Sequence, residues 1–156
     1  MNTVYRIYLD VCCLNRPLDN SLQERIRLEA EAVLLIYRKC RLREWSLINS
    51  EAIEAEIAQD KDAERRLQLQ SALEICETKV MLDEVIENRV RELITLGFKP
   101  FDATHLACAE AAEADIFLTT DDRLLKRAFR LSNLLNVMVR NPANWFIDVN
   151  QSGEEE

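Results

Sequence analysis

Four acidic residues stand at or near the ends of apolar runs, far apart along the chain. Asp10 follows Tyr5-Arg6-Ile7-Tyr8-Leu9, Glu56 lies in Ser50-Glu51-Ala52-Ile53-Glu54-Ala55-Glu56-Ile57, Asp102 follows Pro100-Phe101, and Asp121 ends Ile116-Phe117-Leu118-Thr119-Thr120. A carboxylate at the end of a buried strand is costly unless something compensates it. Several brought together repel one another, and some stay protonated at neutral pH. A bound divalent cation relieves that repulsion, and an all-oxygen donor set suits a hard ion such as Mg2+. Two-metal sites of this kind perform in-line displacement at phosphorus. No competing chemistry is visible. The chain has no G-x-S-x-G, no glycine-rich phosphate loop and no C-x-x-C pair.

Each acid also has a plainer explanation. Asp10 fits an Asx turn. Asp102, behind Pro100, fits the first turn of a helix, where an anion gains roughly 0.3–1 kcal/mol from the dipole. Asp121 fits a helix cap. Glu56 fits a solvated face beside Glu51 and Glu54, and sequence leaves the choice between Glu54 and Glu56 open. The adjacency of Asp121 and Asp122 leaves a second choice open. His105, three residues after Asp102, lies on nearly the same helical face. It is a candidate to support the carboxylates. Cys12 and Cys13 follow Asp10 directly and read as small, inert core residues.

The acids need a frame. Val4 to Leu9 is short and rich in β-formers and reads as a first buried strand. A loop with Pro17 follows. Ser21-Leu22-Gln23-Glu24 has capping-box form and predicts a helix from Ser21 to about Arg41. Trp45 to Asn49 reads as a second strand. Ser50 caps a helix that breaks near Asp60 and restarts through Leu67, Leu69 and Leu73. Val80 to Leu82 is a minimal strand or a connector. Asp83 caps a helix ended by Gly97, and Pro100 opens the next. Ile116 to Thr119 is a third clear strand, Leu124 to Leu131 a helix, and Val137 to Val139 a last strand before Asn141-Pro142. Alternating strands and helices predict a three-layer α/β/α sandwich with a four- or five-stranded, mainly parallel sheet. All four acids then fall at strand ends or in early helical turns, where α/β proteins build their sites.

With 156 residues, the length suits one domain, read over residues 1–148, with an acidic tail over 149–156 expected to be disordered. The low count of 2 Gly and 3 Pro favours a helix-rich fold. A net charge of −8 would repel nucleic acid if evenly spread, yet part of it belongs to the candidate metal site. It also suits a basic protein partner. The cysteines number 5, none in a C-x-x-C, and with 1 histidine they argue for reduced core thiols and against structural zinc. The longest clean apolar run, Ala32 to Tyr37, is far too short to span a membrane. These features predict a soluble, cytoplasmic protein.

Pro100-Phe101-Asp102-Ala103-Thr104-His105-Leu106-Ala107, followed by Ala114-Asp115-Ile116-Phe117-Leu118-Thr119-Thr120-Asp121, resembles the C-terminal half of a PIN domain. Tyr8-Leu9-Asp10 matches that family's opening aspartate, Ala55-Glu56-Ile57 its Ala-Glu-apolar helix, and Val137 to Pro142 its closing strand and Asn-Pro turn. The resemblance spans residues 4 to about 147. It implies a PIN-like fold and a ribonuclease dependent on Mg2+ or Mn2+, giving 5′-phosphate and 3′-hydroxyl ends. It further implies a VapC-like toxin, commonly a homodimer, held inactive by a small antitoxin protein. Carried onto this chain, Asp10, Glu56, Asp102 and Asp121 are the catalytic, metal-binding acids, and Thr119 orients the last of them. Where the family commonly has a polar residue two places after the first aspartate, this chain has Cys12, and Asn15 is a candidate to supply the missing group. Arg16 and Arg123 are the substrate-binding candidates, while Lys126, Arg127 and Arg130 suit a solvated helix face. Two rival readings stand beside the nuclease. One is a catalytically idle PIN-like protein-binding module. The other, a small-ester phosphatase, lacks the Asp-x-Asp start common in such enzymes.

Overall fold

Continuous burial along the central strands organises the molecule. In the computed structural model, which describes residues 3–155 and side chains over 3–151, five short strands form one parallel sheet. They are β1 (Arg6–Leu9), β2 (Ser46–Ser50), β3 (Thr78–Val80), β4 (Ile116–Leu118) and β5 (Met138–Arg140), in the spatial order β3-β2-β1-β4-β5. Ile7, Tyr8, Leu9, Leu47, Ile48, Ile116, Phe117 and Leu118 are all buried, as expected of strands covered on both faces.

The two faces are read from neighbours in sequence. Tyr8 stacks on Phe117 and meets His105, whereas Tyr5, three residues earlier, meets Trp45 and Trp145 edge-on. On the Tyr8 side, α6 (Pro100–Ala111) packs against α5 (Glu84–Thr95) and α3 (Glu51–Ala58). On the other, α2 (Glu24–Arg41) packs against α8 (Pro142–Glu155). The remaining helices are α1 (Val11–Asn15), α4 (Ala63–Ala72) and α7 (Asp122–Arg130). The result is the three-layer α/β/α sandwich expected of a PIN-like fold.

Most boundaries follow local chemistry. Ser50 caps α3 by accepting from Ile53 N at 3.0 Å, Asp62 caps α4 after the break near Asp60, and Asp83 caps α5 through Ile86 N at 2.8 Å. Gly97 follows α5 at φ +105°, which a side chain would resist, and Phe98 N returns to Leu93 O at 3.2 Å. Pro100 opens α6.

The structure departs from expectation at three places, the first being β3, which spans Thr78–Val80 rather than Val80 to Leu82. Ser21 does not cap α2. Asn20 Oδ1 takes Leu22 N at 3.1 Å instead, closing a turn there, and the helix begins at Glu24. The stretch around Pro17 is not a loop but α1 followed by a 3₁₀ turn over Arg16–Leu18. The last helix runs from Pro142 to Glu155, and Val149, one turn after Trp145, packs against the core. The expected acidic tail lies largely outside the described residues: side chains from 152 onward are not among them, nor is residue 156.

No helix among the described residues is long and apolar enough to cross a membrane.

Candidate metal centre

The strand order places β1 between β2 and β4, so the chain leaves β1 first to one side of the sheet and later to the other. This is the topological switch point at which an open α/β sheet forms a crevice beyond its carboxyl ends. Asp10 stands there. Buried to 7% exposure, it caps α1 with Oδ1 on Val11 N at 2.9 Å, and its Oδ2 accepts from Thr119 Oγ1 at 2.9 Å and from the Cys12 thiol at 3.5 Å. Thr119 Oγ1 also accepts from Asp121 N at 3.2 Å, so one buried hydroxyl links the two loops. Burial pushes the Asp10 carboxyl pKa up. Glu56 adds in the same sense, while His105 and the Thr119 bond oppose it.

Glu56, half-buried on α3, faces His105, with Oε1 3.1 Å from Nε2. Asp10, Glu56 and His105 each offer a ligand atom within 4.8 Å of the others. The His105 ring is itself held from behind. Its Nδ1 lies 2.7 Å from the Tyr8 hydroxyl, which lies 2.7 Å from Ser50 Oγ. Ser50 is occupied as the acceptor for Ile53 N. With neutral His105 the consistent arrangement is Ser50 donating to Tyr8, Tyr8 donating to Nδ1, and Nε2–H donating to Glu56. Burial alone would lower the His105 pKa, but Glu56, Asp10 and Asp102 outweigh it and raise it.

Asp102 sits in the first turn of α6. Its carboxylate has no hydrogen-bond partner among the described residues, and its pKa is pushed up to about 6 by burial, then by the charges of Asp10 and Asp121. Asp121 is exposed and caps α7, accepting from Arg123 N at 2.9 Å and Leu124 N at 3.3 Å.

The neighbouring acids are placed differently. Glu54 is bound to Lys79 at 2.7 Å and to Asn49 Nδ2 at 3.1 Å, so of Glu54 and Glu56 it is Glu56 that joins Asp10. Asp122 is paired with Arg25 at 2.7 Å. Asn15 accepts from Arg65 at 3.1 Å, and the group that meets Asp10 is Cys12. Arg16 spends its guanidinium on Glu29 at 2.8 Å and Asp19 at 2.9 Å. The Arg123 side chain makes no ion pair among the described residues.

Glu29 went unnoticed in the sequence. At 1% exposure it is bound by Arg16, by Arg25 at 3.1 Å and by Asn141 Nδ2 at 2.7 Å, and Arg25 continues to Thr120 O at 3.1 Å and to Asp122. This network ties α2 and the 3₁₀ turn to the loop carrying Asp121. Its one signal was a glutamate on the face of α2 that also carries Val33 and Ile36.

The donor set fits a divalent cation. Carboxylates that repel one another, one of them unpaired and pushed towards neutrality, are the arrangement a hard cation stabilises.

Neither a protein-family model nor a curated protein matches the sequence. Among solved structures, the chain is similar to one in the crystal structure of VapBC2 from Rickettsia felis bound to a DNA fragment from their promoter, at 13% identity and a TM-score of 0.54, covering 87% of this chain and 98% of that one. At that identity the likeness is one of fold, and it extends over almost the whole of the other chain.

Proposed function

We propose that this protein is a metal-dependent endoribonuclease that hydrolyses phosphodiester bonds with Mg2+ or Mn2+, and that it works as the toxin of a toxin–antitoxin pair. The carrying observation is the convergence of Asp10, Glu56 and His105 within 4.8 Å at the sheet's switch point, beside an Asp102 pushed towards neutrality by burial and then by Asp10 and Asp121. Asp10, Glu56, Asp102 and Asp121 would hold the cation. When bound, it supplies the positive charge that eases attack on phosphorus and departure of the leaving oxygen. The protein's own groups fix the donors. Thr119 and Val11 N aim the two oxygens of Asp10, and His105, braced by Tyr8 and Ser50, holds Glu56 towards it. His105 serves as support rather than ligand in this reading, since both its nitrogens are engaged and a hard cation prefers oxygen.

The toxin assignment draws on the fold shared with a chain of the VapBC2 assembly, whose components were crystallised together on promoter DNA. A small antitoxin protein is the corresponding partner here, and a homodimer the corresponding assembly.

The test is cleavage of mixed structured and single-stranded RNAs with Mg2+, with Mn2+ and with chelator, beside an Asp102→Asn protein purified identically. Metal-dependent cleavage lost in the variant supports the reading. Equal cleavage by both exposes a contaminant. No cleavage, together with no Mn2+ binding by calorimetry, turns the assignment to an idle protein-binding module.

A further inference from the structure

Helix α7 begins directly after Asp121 and is the basic element of an acidic protein. The chain carries a net charge of −8, yet α7 has Arg123, Lys126, Arg127 and Arg130 against the single acid Asp122. That acid is already paired with Arg25, so it does not neutralise the helix.

The helix is also sharply two-sided. Leu124 and Ala128 are buried, and α7 packs on β5. At 3.6 residues per turn, Arg123, Lys126, Phe129 and Arg130 fall within one arc of about 120° opposite that buried face. All four are exposed, and they line one shallow groove. Arg123, Lys126 and Arg130 make no ion pair among the described residues. Phe129 is 82% exposed, so its ring is open to stack against a ligand. Arg127 also borders the groove, but its guanidinium lies against Gly97.

Cations interleaved with an exposed aromatic ring are the pattern that binds a single nucleic-acid strand. The charges follow the phosphates, and the ring stacks a base without regard to its identity. We propose that this face of α7 is where single-stranded RNA lies as it leaves the metal centre. Arg123, Lys126 and Arg130 contact successive phosphates and Phe129 stacks a base. The proposal rests on the ribonuclease reading above. Phe129 is eight residues beyond Asp121, so the stacked base sits roughly 12 Å along the helix from the candidate metal ligand.

The experiment is fluorescence anisotropy with a labelled mixed-sequence 20-nucleotide single-stranded RNA and its duplex. It runs in chelator across a salt series, on wild-type protein, a combined Arg123→Ala/Lys126→Ala/Arg130→Ala variant and Phe129→Ala. The triple variant should flatten the slope of log affinity against log salt by about 2, at roughly 0.7 per phosphate contact for single strands. Phe129→Ala should bind the single strand about 5- to 150-fold more weakly at an unchanged slope, with no comparable loss for the duplex. A wild-type slope in the triple variant overturns the proposal, as does undiminished binding by Phe129→Ala. So does a Phe129→Ala protein whose dimer falls apart in sedimentation while its RNA affinity is kept, since that makes the ring a protein contact. Cleavage with Mn2+ separates the two levels. If wild type cuts RNA and both variants cut as well as it does, α7 is not the track and the ribonuclease reading stands. If wild type neither binds nor cuts RNA, both fall.

Discussion

Replacing Asp102 by Asn should stabilise the metal-free protein at alkaline pH while abolishing its use of a cation. The Asp102 carboxyl is pushed from an ordinary 3.8 up to about 6, first by burial, then by Asp10 and Asp121, against weaker help from His105 and Lys99. Two units at 1.36 kcal/mol each set an upper bound of about 3 kcal/mol on the cost of ionising it in the folded state. The side chain is partly open to solvent, and screening reduces that to on the order of 1–2 kcal/mol. The dipole of α6 favours the anion by roughly 0.3–1 kcal/mol, a benefit the asparagine forgoes. Burial and like charge win, by about 1 kcal/mol, which for a chain of this size raises Tm by about 2–4 °C.

The pH dependence follows from the direction of the shift. A carboxyl whose pKa is higher folded than unfolded binds its proton more tightly in the native state, so its contribution to stability is full below the unfolded value and lost as pH rises through the folded one. The wild-type deficit relative to Asp102→Asn is therefore complete above about 6 and disappears towards 3.8. Thermal melts in chelator at alkaline, near-neutral and acidic pH should show a gap that closes on acidification. Adding Mn2+ at about 100 times its Kd should reverse the order at pH 8, since only wild type gains the roughly 2.7 kcal/mol of ligand stabilisation. An asparagine variant no more stable than wild type at pH 8 in chelator, or a gap that ignores pH, would refute the reasoning.

Tyr8→Phe should weaken Mn2+ binding about 10- to 100-fold by calorimetry. It frees the His105 tautomer and lets a lone pair on Nε2 face Glu56, the kind of loss seen when an outer partner of a ligand is removed; unchanged affinity would show that His105 needs no brace. Glu56→Gln should lose Mn2+ affinity in the same titration while Glu54→Gln keeps it, because Glu54 is spent on Lys79 and Asn49; equal losses would place both at the cation. Glu29→Gln should cost roughly 1.5–3 kcal/mol in urea unfolding, since it removes the charge from a buried acceptor of Arg16, Arg25 and Asn141 while Arg16 keeps Asp19 and Arg25 keeps Asp122, and a loss below about 1 kcal/mol would mean that solvent replaces the network.

Features set by a few neighbouring residues were readable from sequence. Ser50 and Asp83 cap, Gly97 turns the chain and Pro100 starts α6 because each acts on backbone within four residues. The Ser21 box had the same form, but α2 starts only at Glu24, with Gln23 at its N-cap and no side chain capping it. Long-range choices were closed to sequence. Glu54 and Glu56 are separated by Lys79 on β3, Asp121 and Asp122 by Arg25, and Glu29 finds Asn141 at a separation of 112 residues. None of these partners has a local signature.

The arrangement of the site is consequently a property of strand register as much as of acid placement. Leu9 pairs with Leu118, and Asp10 N continues the ladder to Leu118 O at 2.9 Å. That register sets Asp10 beside Thr119, whose hydroxyl reaches both Asp10 Oδ2 and Asp121 N. Thr119 N is held in turn by Arg140 O of β5 at 3.0 Å. A slip of one residue between β1 and β4 would carry Thr119 to the opposite face and leave Asp10 buried with no hydroxyl donor. Taken up by β1 instead, the slip would turn Tyr8 away from His105, and Glu56 would lose its support. The apolar runs of β1 and β4, buried on both faces, are thus what aligns the acids: Phe117 stacked on Tyr8 holds the register that brings Asp10 to Thr119 on one side and His105 to Glu56 on the other.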